Sequence, residues 1–432
     1  MCAQILSTQP YKGTRDFYPD DMRLRNWFFG KIRQTLERAA YEEYNGPMLE
    51  SLDIYIAKSG EEIANKQTYN FADRGGRMVA IRPEMTPSVA RIVAAKMGEL
   101  NYPLKWFSIP NMYHYERPQH GRLREFWQLN VDIFGCDTYE ADLEVIASAI
   151  HILKAYGADE SMFTVRINNR RFFNDVIATI AGTDAEGSRL VSKVIDRKNK
   201  IPRDVYENEL LNLGLSEEQI EKIDSLYRMD VWEATALCPE SVGSTELRLL
   251  FEALEKTGLL PYCVFDFGII RGLDYYTGTV FEVFDNAPEN NRAMFGGGRY
   301  DNLVGLFVKN AKISGVGYGM GDVTLENFLY THNLVPKTFG SGVKVLVARF
   351  DDVPYETYLS TVEKLRDAGI GASVYLGSKK FGKQIDFAVK DGYSHLVIIG
   401  GDEAARGVVR LKNLITREEE ELSLDLAIAA LK

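Results

Sequence analysis

The apolar positions of this 432-residue chain follow two rhythms, and the places where one gives way to the other mark its parts. Leu24, Trp27, Phe28, Ile32 and Leu36 recur at steps of three and four or close to it, which puts them on one face of a helix. Pro47 breaks that pattern shortly before Leu49. A second helix is expected from Thr86-Pro87, with threonine as N-cap and proline at the first helical position. Leu143, Ile146, Ile150 and Leu153 mark a third. Short β-branched and aromatic runs at 105–109 and 130–134 read as strands.

From about Arg170 to Gly258 the pattern becomes helical and charged, as in 215–228, and strand-like runs return at 263–265 and 277–283. That order predicts a helical insertion inside a mainly antiparallel α+β domain. Residues 333–342 hold Pro336, Gly340 and Gly342 and read as a linker. Beyond it the rhythm alternates: strand 343–348, helix 355–368, strand 372–376, helix 381–389 and strand 396–399, closing on Gly400-Gly401. Such alternation predicts a parallel sheet with helices on its faces, an α/β domain. The expected division is therefore 1–332 with an insertion at about 170–258, a linker at 333–342, and a second domain at 343–432.

Composition narrows the functions rather than naming one. Apolar and charged fractions of 45% and 26% are those of a soluble globular chain. A net charge of −10 argues against a surface coated in basic residues for non-specific nucleic-acid binding, but leaves room for a local basic patch. No apolar stretch approaches the ~20 residues a bilayer span needs. The first ten residues show no basic start followed by an apolar run, so no secretory leader is expected. Cys2, Cys136, Cys238 and Cys263 are scattered, and the five histidines form no ligand pair at helical spacing. A metal site is not expected, and a reducing, cytoplasmic setting is.

Four segments carry candidate chemistry. Tyr113 to Gln128 places Arg117, Arg122 and Arg124 in a loop between two strands, and three guanidiniums that close together suit phosphates. Phe126 at its end is placed to stack on a base, although a solvated basic hairpin would read the same way. Glu84, just ahead of a helix start, either satisfies free backbone donors or accepts from a substrate ammonium. Arg271-Gly272-Leu273-Asp274-Tyr275-Tyr276 runs into a strand and suits a polar pocket, or surface turn chemistry. Phe295 to Asp301 is glycine-rich, and from Gly315 to Gly321 glycine takes every second position. One face of that strand then has no side chains, so a ligand or another chain segment can come close.

Taken in order, these segments resemble the histidine–tRNA ligase family over nearly the whole chain. Lys12-Gly13-Thr14-Arg15-Asp16-Phe17 is similar to the family's opening, and the Leu24 helix with Pro47 to class II motif 1, which in the family builds a homodimer interface. Tyr113 to Gln128 resembles motif 2, and the alternating glycines resemble motif 3. Arg271 to Tyr276 resembles the histidine-specific signature, and Leu365 to Ile370 lies in what resembles an anticodon-binding domain. The resemblance implies a class II synthetase fold and a reaction in which the carboxylate of L-histidine attacks the α-phosphate of ATP, expels magnesium-bound pyrophosphate, and is then passed to tRNA(His). Such a transfer needs positioning and cations around a crowded anion more than an acid or base.

By the same resemblance Arg271 would steady the α-phosphate and the substrate carboxylate. Glu84, Thr86 and Gln128 would hold the ammonium, beside Met85. Asp132 and Tyr276 would bond the imidazole nitrogens, with Tyr275 and Tyr300 lining the pocket. Glu116 and Phe126 would hold adenine, and Arg122 and Arg124 would meet phosphates. A pocket built on two ring-nitrogen bonds can reject analogues by roughly 10⁴ or more, so no editing domain is expected. For tRNA, Lys379, Lys380 and Lys383 sit near the carboxyl edge of a parallel sheet, with Lys390 further along.

Two positions depart from the family pattern. His114 stands where motif 2 ordinarily has an arginine that contacts the α-phosphate. Histidine lacks the bidentate fork, and losing such a contact costs on the order of 10² to 10³ in rate. Motif 3 ordinarily ends Gly-Leu-Glu-Arg, whereas here it reads Gly321-Asp322-Val323-Thr324. These departures leave two other readings open: a catalytically weak paralogue that senses histidine or tRNA, and a regulatory subunit of ATP phosphoribosyltransferase.

Overall fold

A computed structural model describes residues 6–59, 67–117, 123–183, 185–195, 197–198, 201–270, 276–290, 292–337, 344–377 and 379–432. The chain divides into two compact units, Met1–Val335 and Pro336–Lys432.

The first unit opens on α1 (Pro19–Arg38), which has proline in its first turn and Asp20 and Asp21 at the positive end of its dipole. Phe28, Ile32 and Leu36 of its expected apolar face are buried. After β1 (Glu42–Glu43) come β2 (Leu49–Ser51), α2 (Asp53–Ser59), β3 (Tyr69–Ala72) and β4 (Met78–Ile81), whose strands form a small sheet in the order β2-β4-β3. Helix α3 (Thr86–Ala95) begins one residue earlier than expected. Met85 is its N-cap, Thr86 is its first residue, and no side chain caps it. Met85 is fully enclosed, so burial of its side chain rather than a threonine hydroxyl fixes how the chain enters the helix.

The main sheet takes strands from both sides of the helical segment. Before it come β5 (Leu104–Ser108), β6 (Asn111–Tyr113), β7 (Glu125–Phe134), α4 (Tyr139–Ala155) and β8 (Phe163–Asn169). Helices α5 (Arg170–Ala181), α6 (Ala185–Ile195), α7 (Arg203–Asn212), α8 (Glu217–Leu226), α9 (Val231–Ala236) and α10 (Val242–Lys256) follow in succession. The Asn169 side chain caps α5 by accepting from the Arg171 and Phe172 amides. Then come β9 (Cys263–Phe265), β10 (Thr279–Asp285), β11 (Ala293–Arg299), β12 (Gly315–Gly321) and α11 (Asp322–Thr331). The strand order is β1-β5-β7-β12-β11-β10-β8-β9, with β6 paired to β7. Only the edge pairs β1–β5 and β8–β9 are parallel, so the expected mainly antiparallel α+β architecture holds.

Alternation along β7 separates the sheet's two faces. Leu129, Val131 and Ile133 join the large core with Val145, Ile146 and Ile150 of α4. Phe126, Gln128, Asn130 and Asp132 take the other face, which is the one that matters for chemistry.

The second unit holds β13 (Lys344–Ala348), α12 (Tyr355–Asp367), β14 (Gly371–Val374), α13 (Phe381–Lys390), β15 (His395–Ile398), α14 (Gly401–Arg406), β16 (Val409–Asn413), β17 (Glu419–Leu422) and α15 (Leu424–Ala430). Its sheet runs β14-β13-β15-β16-β17. The expected parallel pairing holds for β13, β14 and β15, whereas β16 and β17 add an antiparallel edge. Val409 and Leu411 bury one side of β16 in the core, and charge crosses to β17 on the other, with Arg410 and Lys412 both 3.0 Å from the Glu419 carboxylate.

Candidate active site

Gly296 and Gly298 of β11 lie opposite Gly319 and Gly317 of β12, and Gly315, Gly317, Gly319 and Gly321 lie opposite Phe134, Asp132, Asn130 and Gln128 of β7. Residues opposed in a ladder share a face, so the glycines form a bare floor two strands wide. Four side chains lie over it, each where a glycine leaves room. A Cβ on Gly298 would stand 2.8 Å from the Tyr276 ring, and one on Gly315 would stand 2.5 Å from the Tyr300 ring. On Gly317 it would stand 2.5 Å from Asp132 Oδ1, and on Gly319 2.8 Å from Gln128 Nε2. The floor is thus already covered, by four of the side chains expected to hold histidine. Tyr300 Oη donates to Asp132 Oδ1, and both residues are buried.

Gln128 is half-buried and marks where this floor opens into a cleft of about 210 Å³, lined by His114, Leu123, Phe126, Gln128, Met294, Gly319 and residues at the start of α11. His114 Nε2 lies 2.9 Å from the Pro83 carbonyl oxygen. A carbonyl can only accept, so that nitrogen carries a proton and donates. The bond ties motif 2 to the turn that presents half-buried Glu84 and Thr86. The His114 ring also meets Phe126 edge-on at 4.9 Å. Arg124 donates to the Glu116 carbonyl oxygen (2.9 Å) and to Tyr11 Oη (3.0 Å). Arg122 and the 271–275 run, with Arg271 and Tyr275, lie outside the described residues.

Beneath the floor runs a second layer of charge for which the sequence reading had no role. Arg299 is buried; it pairs with Asp142 of α4 (3.0 Å) and donates to the Cys136 and Thr138 carbonyls at 2.9 Å each. Burial pushes the Asp142 carboxyl up to about 6 despite the pull of Arg299. Asp301 accepts from Thr277 Oγ1 (2.6 Å) and Arg171 (3.1 Å), which fixes the chain where the 271–276 signature enters β10. Tyr300 sits between these two anchors in sequence. Arg299 and Asp301 belong to the glycine-rich 295–301 run, but nothing in its spacing foretold that Arg299 is buried.

In the second unit Lys379 and Lys380 are exposed ahead of α13, and Lys383 in its first turn pairs with Asp386 at 3.0 Å. Gln384 is buried and clasps this edge together. Its amide accepts from Arg349 N (2.9 Å) and donates to the carbonyls of Arg349 (2.7 Å) and Lys379 (3.0 Å). Arg349, at the end of β13, lies 5.4 Å over the Tyr355 ring and so joins the lysines as a cation the sequence reading missed.

The comparisons with known proteins agree with one another. A family model described as "Histidyl-tRNA synthetase" matches residues 13–322, and one described as "Anticodon binding domain" matches residues 344–432. The chain is 44% identical to the histidine–tRNA ligase of Leptospira biflexa over 436 aligned residues, which cover 100% of this chain and 99% of the relative. A crystal structure of histidyl-tRNA synthetase from Nostoc sp. PCC 7120 superposes with a TM-score of 0.81 at 26% identity, covering 99% of each chain. A structure described as an ATP phosphoribosyltransferase regulatory subunit/histidyl-tRNA synthetase from Bacillus halodurans gives 0.74 at 23% identity, over 91% of this chain and 99% of that one. At that identity the likeness is one of fold.

Proposed function

The chain belongs to the histidyl-tRNA synthetase family, and from that premise we propose how its residues divide the family's work. It is a class II aminoacyl-tRNA ligase that uses ATP to activate L-histidine as the adenylate and charges tRNA with it. No finding favours the sensing or regulatory alternatives.

The four side chains laid over four glycines carry the assignment of the amino-acid pocket. Asp132, held by Tyr300, and Tyr276 bond the two imidazole nitrogens, with Tyr275 and Tyr300 as walls. Gln128, Glu84 and Thr86 take the ammonium, with Met85 packed behind. Gln128 and Asp132 lie four residues apart on one strand face, about 13 Å between Cα atoms, a span that suits histidine end to end. The carboxylate then points toward the cleft. There Phe126 stacks on adenine, Glu116 receives its amino group, and Arg122 and Arg124 meet phosphates. Arg271 carries the α-phosphate charge as the carboxylate oxygen bonds to phosphorus and the bond to pyrophosphate breaks. Magnesium would come with the nucleotide as part of the substrate and would offset its phosphate charge.

His114 fills the motif 2 arginine's place with a different function. Its bond to Pro83 joins the nucleotide strand to the ammonium-binding turn, so it positions where the usual arginine would neutralise. His114→Arg is expected to raise or preserve the activation rate. A large loss would show that the Pro83 bond is required.

Residues 1–332 are the catalytic part in this reading, 333–342 the linker and 343–432 the anticodon-binding part, with Lys379, Lys380 and Lys383 meeting tRNA(His). The enzyme works in the cytoplasm as a homodimer. Supporting the dimer, one face of the small sheet offers half-exposed Leu49 and Phe71 beside Ile81 and Val79, an apolar surface next to motif 1. Among the described residues no helix is long and apolar enough to cross a membrane. The decisive experiment is histidine-dependent exchange of pyrophosphate into ATP, with other amino acids as controls. Exchange specific to histidine supports the assignment, and its absence in protein that still binds histidine would return the sensor reading.

A further inference from the structure

On the sheet face opposite the glycine floor, the carboxylate of Asp322 gathers four separate elements. Its Oδ1 accepts from Trp127 N of β7 at 3.1 Å. Its Oδ2 accepts from Arg15 of the N-terminal segment at 2.8 Å and from Arg25 of α1 at 3.2 Å. Asp322 itself opens α11, whose next two residues, Val323 and Thr324, line the cleft. The carboxylate is 4% exposed, and the Arg25 side chain is 12% exposed, so the pairing is screened little by water.

The contacts around this point are specific in shape as well as charge. The Arg25 guanidinium lies 4.0 Å over the Phe17 ring and 4.1 Å over Trp127, while Phe17 and Trp127 meet edge to face at 5.3 Å. One turn back in the N-terminal segment, the Gly13 carbonyl accepts from the amides of Arg124 (2.9 Å) and Glu125 (3.1 Å), and Tyr11 Oη accepts from Arg124. Residues 11–17 therefore form a strap along the first residues of β7, and Asp322 is its buckle. Within this stretch Phe126 and Gln128 line the cleft, with Leu123 just ahead of the strand.

We propose that Asp322 is a positioning residue for the nucleotide half of the site, acting through Trp127 and the Arg15–Arg25 pair rather than by touching substrate. It stands where motif 3 ordinarily has leucine, a side chain that could accept none of these bonds. Of the histidine pocket only Gln128 adjoins Trp127, and its side chain is seated on Gly319; the imidazole end is out of reach of Asp322. Asp132 lies five residues along β7 from Trp127, about 16 Å away, and its side chain is fixed from the floor by Tyr300. The proposal rests on reading the cleft as the nucleotide side.

The test compares D322N with F126A in pyrophosphate exchange, measuring KM for ATP and for histidine separately. Asparagine keeps an acceptor for Trp127 N and removes the charge that holds both arginines. The expected result for D322N is a rise in KM for ATP of about tenfold with KM for histidine changed less than about twofold, since sub-ångström misplacement of binding groups is felt at that scale. R25K, which keeps a cation at one end, is expected to fall between wild type and D322N. Equal kinetics for D322N and wild type, or a proportional rise in both KM values as a general loosening would give, overturns the proposal. F126A separates the two levels. If it leaves KM for ATP unchanged, the reading of the cleft fails, whereas an F126A effect without a D322N effect sinks the positioning role alone.

Discussion

Along β7 one strand builds two unlike surfaces. From Leu129 to Phe134 every residue is buried, and from Glu125 to Gln128 every residue is half-exposed. The buried half is shaped from below, where Asp132 has its place because Gly317 lacks a side chain. The half-exposed part is shaped from the side, by the strap of residues 11–17 and by the Asp322 carboxylate. Under the proposed assignment, recognition of a small, uniform imidazole falls to close packing, which tolerates little displacement. Handling of a large anion that arrives, reacts and leaves as pyrophosphate would then fall to guanidiniums on longer, less enclosed side chains. The difference teaches that specificity and turnover can share a strand without sharing a means of support.

The comparison can be broken most forcefully at the floor. A Cβ at Gly317 would meet the Val131 carbonyl oxygen as well as Asp132, and backbone cannot swing aside as a flexible side chain would. Gly317→Ala is expected to cost about 3 kcal/mol in chemical denaturation and to abolish histidine binding by calorimetry. Retained binding would mean that the floor is less rigid than its packing implies. A milder blow to the same half is Asp132→Asn, which keeps the shape and removes the charge. It should raise KM for histidine by about 10- to 100-fold, the worth of one charge-assisted hydrogen bond, with KM for ATP nearly constant. Parallel rises in both would merge the two halves into one site. At the other end Arg124→Ala is expected to raise KM for ATP by up to about tenfold and to leave histidine untouched. Unfolding should shift by no more than about 1 kcal/mol, because the lost contacts are to one carbonyl and to a group of tyrosines of which Tyr11 and Tyr115 are exposed.

Much of this was legible in the residues. The alternating glycines announced a bare sheet face, and their spacing was right; what they could not reveal was that Tyr276, Tyr300, Asp132 and Gln128 would lie over it, because those residues come from three other stretches of chain. The helices of 170–256 and the parallel strands of the second unit followed from apolar rhythm. The β16–β17 pair was not read, although Val409 and Leu411 of β16 alternate with Arg410 and Lys412 and are buried; β17, with three glutamates in succession, carries no apolar rhythm. Asp322 looked like a loss, the absence of a usual leucine and a shifted motif, and its three partners were invisible because they lie 195, 297 and 307 residues away along the chain. The Arg299–Asp142 pair was hidden for the same reason, at a separation of 157. The family resemblance supplied roles for residues that their own patterns could not, Arg271 above all.

The last strand of the second unit's sheet has a bearing on how the protein survives crowding. β17 reads Glu419-Glu420-Glu421-Leu422, and it is the outermost strand, offering one row of unpaired backbone groups to its surroundings. Another strand approaching that row would bring its own charge against three carboxylates, and a second copy of the same edge would bring three more. Arg410, Lys412 and Arg406 offset part of that charge from within the sheet, which lets the glutamates sit together without unravelling the edge they guard. The edge is therefore soluble by repulsion rather than by cover, and acidification, which neutralises carboxylates, is the condition under which it would first become sticky.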